Sequence, residues 1–168
     1  MTDAPEASAP PAPGRPPRWP YLITLAAFVL DQWSKKWVLA TFNEEGEVME
    51  LVPGVFNFLR TSNEGAAFSL FNEHPEVLTV LAMVVFCLMI IFRDKLFLRT
   101  RLEQWAFGLI AGGVIGNVTD RLQYGHVIDF LNWYWGYDWP IFNLADSFIC
   151  IGVGLYFISQ LRLKPKAA

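Results

Sequence analysis

Four apolar runs, at residues 20–40, 75–92, 102–119 and 141–161, decide what this chain can become. A helix rises about 1.5 Å per residue, and crossing a bilayer core takes about 17–25 residues. The first and last runs meet that length comfortably, and the middle two stand near the short limit. Four buried helices of a soluble protein would be the alternative. The chain has 168 residues, of which 54% are hydrophobic and 15% aromatic, with mean hydropathy +0.32. That leaves too little polar sequence to cover four apolar helices. Pro20, Pro75 and Pro140 stand at or just before the start of a run, where a missing backbone donor is harmless. The expected fold class is a mainly α membrane protein with four transmembrane helices.

Lysine and arginine set the direction of threading. Arg15 and Arg18 precede the first run, Arg93, Lys95, Arg99 and Arg101 separate the second from the third, and Arg162, Lys164 and Lys166 follow the last. The other two connections carry only Arg60 and Arg121, and the first is acidic, with Glu44, Glu45, Glu47, Glu50, Glu64, Glu73 and Glu76. Both termini are therefore expected to be cytoplasmic, with residues 41–74 and 120–140 facing outward. Residues 1–18, rich in Pro and Ala, are expected as a disordered tail. They do not open a secretory signal, because the apolar run starts late and runs too long. Residues 19–162 form the membrane domain, and residues 163–168 a second short tail.

The first outward segment has apolar and aromatic residues around a Pro53-Gly54 turn. A short antiparallel sheet on the membrane surface is expected at residues 48–60, within an extracytoplasmic β segment at about 42–72. The second holds Trp133, Tyr134, Trp135, Tyr137 and Trp139, rings that favour the bilayer interface. An interfacial element before the fourth helix is expected there. Gly108, Gly112 and Gly116 recur every four residues beside Gly113, a small-residue face expected to admit the backbone of the fourth helix.

Several chemistries are disfavoured. Cys87 and Cys150 lie far apart inside apolar runs and read as small buried hydrophobes, neither a disulfide framework nor a metal site. His74 and His126 belong to no zinc pattern. A net charge of −3 gives no sign of nucleic-acid binding. No metal or other cofactor is expected.

The residues that carry chemistry cluster at one level. Asp31, Lys35 and Lys36 fall in the outer half of the first run, Asn117, Asp120 and Arg121 at the outer end of the third, Asp129 in the outward connection, and Asn143 and Asp146 in the first turns of the fourth. The inner halves read as nearly all apolar. A carboxylate at membrane depth costs about 2.5 kcal/mol or more, so it needs a partner or a purpose. Two that share a site cannot both ionise freely, and such a pair holds a proton at neutral pH. The ionised member can take a proton from water while the protonated member donates to a carbonyl oxygen, which is peptide hydrolysis without a covalent intermediate. Asp31 and Lys35, four apart with the acid first, can neutralise each other while supporting the site. Arg121 offers a planar fork for a carboxylate, a carbonyl or a lipid phosphate. Asn117 and Asn143 can bridge groups as donor and acceptor. Serine chemistry, with Ser147 as nucleophile and Lys35 as base, is the weaker enzymatic reading, because no nucleophile elbow is present and Ser147 is placed to hydrogen-bond within its helix.

Five blocks, taken together and in this order, resemble the motifs of the bacterial lipoprotein signal peptidases, or signal peptidase II. They are Asp31-Gln32-Trp33-Ser34-Lys35, Asn63-Glu64-Gly65-Ala66-Ala67-Phe68, Gly116-Asn117-x-x-Asp120-Arg121, Val127-Ile128-Asp129-Phe130 and Phe142-Asn143-Leu144-Ala145-Asp146-Ser147. The resemblance covers about residues 20–161. It implies an aspartic endopeptidase of the bacterial cytoplasmic membrane that removes the signal peptide of prolipoproteins on the amino side of a diacylglyceryl-modified cysteine. Motif by motif, it implies Asp129 and Asp146 as the catalytic pair. Substrate binding or site support falls on Asp31, Lys35, Asn63, Gly65, Ala67, Asn117, Asp120, Arg121, Asn143 and Ala145. It also implies a surface sheet after the first helix and a mobile outward element before the fourth. The partners expected are the lipid-modified prolipoprotein and membrane lipids, with the enzyme a monomer.

Two other functions compete. A proton- or cation-coupled transporter also needs intramembrane acids, but it wants polar positions through the full depth and repeated halves, which the sequence lacks. A non-catalytic assembly factor, with the acids as polar glue, would need only the glycine face and the aromatic rings.

Overall fold

The computed structural model describes residues 17–65, 75–96, 99–136 and 139–163. Among them the chain runs α1 (Trp19–Thr41), β1 (Val48–Val52), β2 (Phe56–Asn63), α2 (Pro75–Leu96), α3 (Arg101–Tyr124), β3 (Val127–Trp133) and α4 (Leu144–Leu163). Each expected apolar run is a helix. The starts follow local chemistry: α1 carries a proline in its first two positions, and α3 opens on a reciprocal capping box between Thr100 and Glu103. Helix α3 ends where Gly125 takes a left-handed φ of 82°. Ala67 and the neighbouring Ala66 and Phe68 lie outside the described residues, as do Tyr137, residues 1–16 of the expected N-terminal tail and most of the C-terminal one.

Helix α3 is the centre of the bundle and packs on α1, α4 and α2. The glycine face does not do what its spacing suggests. Gly108 and Gly112 turn toward α1, where an added methyl on Gly112 would stand 2.6 Å from the Ala27 Cβ and 2.8 Å from the Thr24 carbonyl oxygen. Gly113 admits α4, against the Ala145 carbonyl and Ile149, and Gly116 lies between Asp31 of α1 and the Ala145 Cβ of α4. The reason is geometric: adjacent residues on a helix point about 100° apart, so one glycine-rich turn serves two neighbours. Met89, Phe107, Ile110, Ala111 and Val114 form the buried core between α2 and α3.

The hairpin expected at residues 48–60 is present as β1 and β2 around Gly54, whose φ is 75°. A third strand joins it. β3 pairs antiparallel with β2, placing Asp129 opposite Thr61, so the sheet order is β1-β2-β3. β3 was not foreseen in the second outward segment; after the end of α3 it occupies residues 127–133, and exposed Trp135 and Trp139 follow before α4. A second buried cluster, Val38, Phe42, Ile128 and Phe130, with Phe58 and Leu144 against it, seats the sheet on the C-terminal end of α1 and the N-terminal end of α4. Tyr134 ties the chain after β3 to the hairpin turn, accepting from the Gly54 N–H (3.1 Å) and meeting Glu50 Oε1 (3.0 Å).

One further expectation needs correction. Cys87 and Cys150 are free thiols but exposed on the outside of the bundle, where an apolar surface takes small apolar groups as readily as the core does. Helix α4 starts at Leu144 with Asp146 in its first turn, as expected, while Asn143 stands just before it. The end of the bundle away from the sheet is nearly all apolar but buries one acid. Glu103 is fully buried there and accepts from the Arg99 and Thr100 N–H groups, Ser159 Oγ and Gln160 Nε2, joining the start of α3 to the end of α4.

Leu144–Arg162 is long and apolar enough to cross a membrane, and Thr79–Ile91 is a shorter apolar helix. Helices α1 and α3 carry the charges of the site. Their outward sides still expose large apolar residues, such as Leu22 and Trp33 on α1.

Candidate active site

Asp129 and Asp146 come to the site on different kinds of element. Asp129 lies on β3 and is 1% exposed. Asp146 lies in the first turn of α4. Asn143, the residue before that helix, joins them. Its Nδ2 donates to Asp129 Oδ1 (2.6 Å), its N–H donates to Asp146 Oδ2 (3.3 Å), and its Oδ1 accepts from the Asp146 N–H (3.0 Å). The last two bonds make a capping box, so one residue starts the helix and ties its acid to the strand's acid.

The remaining carboxylate oxygens are also served. Asn63 Nδ2 donates to Asp129 Oδ2 (2.8 Å), and Asn117 Nδ2 donates to Asp146 Oδ1 (2.7 Å). Asn63 is itself oriented by the Gly65 N–H, which donates to its Oδ1 (3.0 Å). The Gly65 carbonyl accepts from Arg121 Nη2 (3.1 Å), while Arg121 Nε is buried with no hydrogen-bond partner among the described residues. Burial is the main force on Asp129. Helped by the Asp146 charge and opposed by the Asn63 and Asn143 donors and the Lys35 charge, it pushes the carboxyl up to about 7. One proton at neutral pH is what such a pair is expected to hold.

Behind the pair lies a buried ionic cluster. Lys35 Nζ donates to Asp31 Oδ2 (2.9 Å), Asp120 Oδ2 (2.8 Å) and Asn117 Oδ1 (3.0 Å), and all three charged groups are at most 1% exposed. Asp31 Oδ1 accepts from the Ala145 N–H (3.0 Å), and Asp120 Oδ2 accepts from the Ile128 N–H (3.2 Å). Asp31 Oδ2 stands where any side chain on Gly116 would go, and Ala145 is fully buried with its carbonyl against Gly113. That is why small residues occupy these positions.

The structure thus gathers Asp31, Lys35, Asn63, Gly65, Asn117, Asp120, Arg121, Asp129, Asn143, Ala145 and Asp146 in one network. Lys36 is exposed and takes no part. Ser147 Oγ donates to the Asn143 carbonyl within its helix (3.0 Å), as its position suggests. Gln32 was not singled out. Its Nε2 donates to Asp120 Oδ1 (2.9 Å) and to the Gly116 carbonyl (3.3 Å). Its place beside Asp31 in the first motif was the available signal.

In front of the pair is an open cavity of about 930 Å³. Asn63, Asn117, Arg121, Asp129 and Asp146 line it together with Trp139, Ile141, Phe142, Ile149 and Cys150. Its lining offers carboxylates to a peptide carbonyl and apolar surface to apolar groups.

Comparison with known proteins agrees with this geometry. The family model for signal peptidase (SPase) II matches residues 23–162. A lipoprotein signal peptidase of Azoarcus sp. strain BH72 is 46% identical over 157 residues, covering 88% of each chain. One from Halalkalibacterium halodurans is 36% identical over 148 residues, 88% of this chain and 94% of its own. A bacterial membrane enzyme solved by the in meso method superposes with a TM-score of 0.79 at 30% identity, over 89% of this chain and 93% of the other.

Proposed function

The chain belongs to the signal peptidase II family, and on that footing we propose that Asp129 and Asp146 are its catalytic pair. It is a membrane peptidase that removes signal peptides from prolipoproteins. The observation that carries the assignment is the Asn143 bridge: one side chain and its own N–H hold both carboxylates at the wall of the cavity.

The ionised aspartate takes a proton from a water molecule, and the water oxygen attacks the scissile carbonyl. The protonated aspartate gives its proton to the carbonyl oxygen, forming a tetrahedral diol. As the C–N bond breaks, the first aspartate returns its proton to the departing amine, and the second recovers its own from the collapsing diol. Arg121, with an unused Nε beside the cavity, orients a carbonyl or lipid phosphate. The apolar wall suits a diacylglyceryl group on the cysteine that follows the cut. Four helices cross the membrane with both termini cytoplasmic, and the sheet and site lie at the outer face; the Lys and Arg distribution supports that topology. One chain supplies both acids and their supports, so a monomer suffices.

The test is cleavage of a lipidated prolipoprotein peptide by purified protein in lipid. Asp129→Asn and Asp146→Asn keep size but cannot carry the transferable proton. Each is expected to lose nearly all turnover while still binding substrate, and the double variant to be little worse than either single one. Substantial turnover by a well-folded single variant would remove the pair from the mechanism. A lipidated peptide should be cut and its unlipidated counterpart should survive.

A further inference from the structure

We propose that Lys35 is the positioning residue that sets both aspartates at once, through three separate partners. The proposal rests on Asp129 and Asp146 being the catalytic pair. All three ammonium donors of Lys35 are used, and each leads to one of the acids. Asp31 takes the first on Oδ2 and, with Oδ1, holds the N–H of Ala145, the residue before Asp146. Asp120 takes the second and holds the N–H of Ile128, the residue before Asp129. Asn117 takes the third on Oδ1 and donates from Nδ2 to the Asp146 carboxylate.

The third arm also fixes a direction. An ammonium only donates, so the Asn117 atom facing it must be the amide oxygen, and the amide nitrogen then has to face Asp146. Asn143 Nδ2 donates to the same Asn117 oxygen (3.2 Å), which links the fixed direction to the residue that bridges the pair. With Lys35 removed, that longer neutral bond is left to hold the Asn117 amide without the charged one at 3.0 Å. Lys35 does none of this from within the cavity. It is 1% exposed and is not part of the cavity wall, which Asn117 and the aspartates form, so it reaches substrate only through them.

The experiment compares wild type, Lys35→Met and, as a control, exposed Lys36→Met, in lipid with the lipidated peptide. Turnover is counted per folded molecule. Lys35→Met is expected to lower kcat on the order of 10²-fold with KM little changed, as a small misplacement of reacting groups does. It should also move the acid limb of the pH–rate profile to higher pH. Among the described residues, the charged groups around the pair are Lys35 and Asp31 from α1, Asp120 and Arg121 from α3, Glu64 after β2 in the cavity wall, and the two acids themselves; without Lys35, Arg121 is the remaining cation among them. Lys36→Met should match wild type. Unchanged kcat and pH profile per folded molecule, with only lower stability, would make Lys35 glue and overturn the proposal. A raised KM with kcat kept would make it a substrate ligand and overturn it equally. Should Lys35→Met not fold, the charge-balanced variant Lys35→Met/Asp31→Asn decides, because it leaves Asp120 with the Gln32 and Ile128 donors and keeps an oxygen for Ala145. Activity in Asp129→Asn or Asp146→Asn would instead overturn the catalytic pair itself, a result distinct from any of these.

Discussion

At the scale of single residues, the burial of Asp129 has a thermodynamic consequence that does not depend on substrate. With its carboxyl raised from 3.8 to about 7, the folded state binds this proton more tightly than the unfolded chain does. The associated stability is complete below the unfolded value and is lost as pH rises through about 7. Between about pH 4 and pH 7 this group therefore makes the protein less stable as pH increases. Thermal unfolding followed across that window should decline more steeply for wild type than for Asp129→Asn, which has no such proton to lose. Equal slopes would mean that Asp129 does not titrate there. The same logic applies to catalysis. Asn63 donates to the charged form of Asp129, so Asn63→Ala is expected to shift the apparent ionisation in the pH–rate profile upward. That ionisation belongs to the coupled pair rather than to one acid.

At the scale of elements, α3 is held between neighbours that come too close for side chains. A methyl on Gly113 would run into the Ala145 carbonyl and stand 2.8 Å from Ile149 Cγ1, so Gly113→Ala must push α4 and Asp146 away. Overpacking of this kind costs about 1–3 kcal/mol, and here a loss of turnover should accompany the fall in Tm. Gly154→Ala, which meets nothing within 4 Å, should be neutral or stabilise by about 0.5–1 kcal/mol. Denaturation and cleavage assays on the two variants would separate close approach from mere helix propensity. These elements also mark how far the sequence could be read. Helices α1 to α4 were legible from run lengths and proline positions, and the hairpin from Pro53-Gly54. β3 was not, because Val127, Ile128, Asp129 and Phe130 are all buried and show no alternation, and because their partner strand lies more than sixty residues away. The glycine spacing announced tight packing but could not say against which helix. The motif residues of the site were legible as a set. Their hydrogen-bond directions were not, since these follow from Lys35 and backbone N–H groups that meet only in the folded chain. Glu103 was missed although Thr100-x-x-Glu103 spells a capping box.

At the scale of the whole molecule, the orientation in the membrane is open to direct measurement. In a background with Cys87 and Cys150 replaced by alanine, necessary because both thiols are exposed, cysteines at Glu44 and Trp135 should react with an impermeant reagent added outside spheroplasts. One at Arg99 should not. Labelling at Arg99 would reverse the topology and move the site to the other face. Wherever it faces, the site is divided along the chain. Asp129 is delivered by a strand whose pairing partner and seating cluster come largely from the N-terminal half, and Asp146 by the helix that follows. A chain still emerging from the insertion machinery, with α4 not yet placed, holds one carboxylate and no partner for it. On the proposed pair, proteolysis is tied to completed insertion, and other proteins in a crowded membrane meet a working peptidase only after its last helix is home.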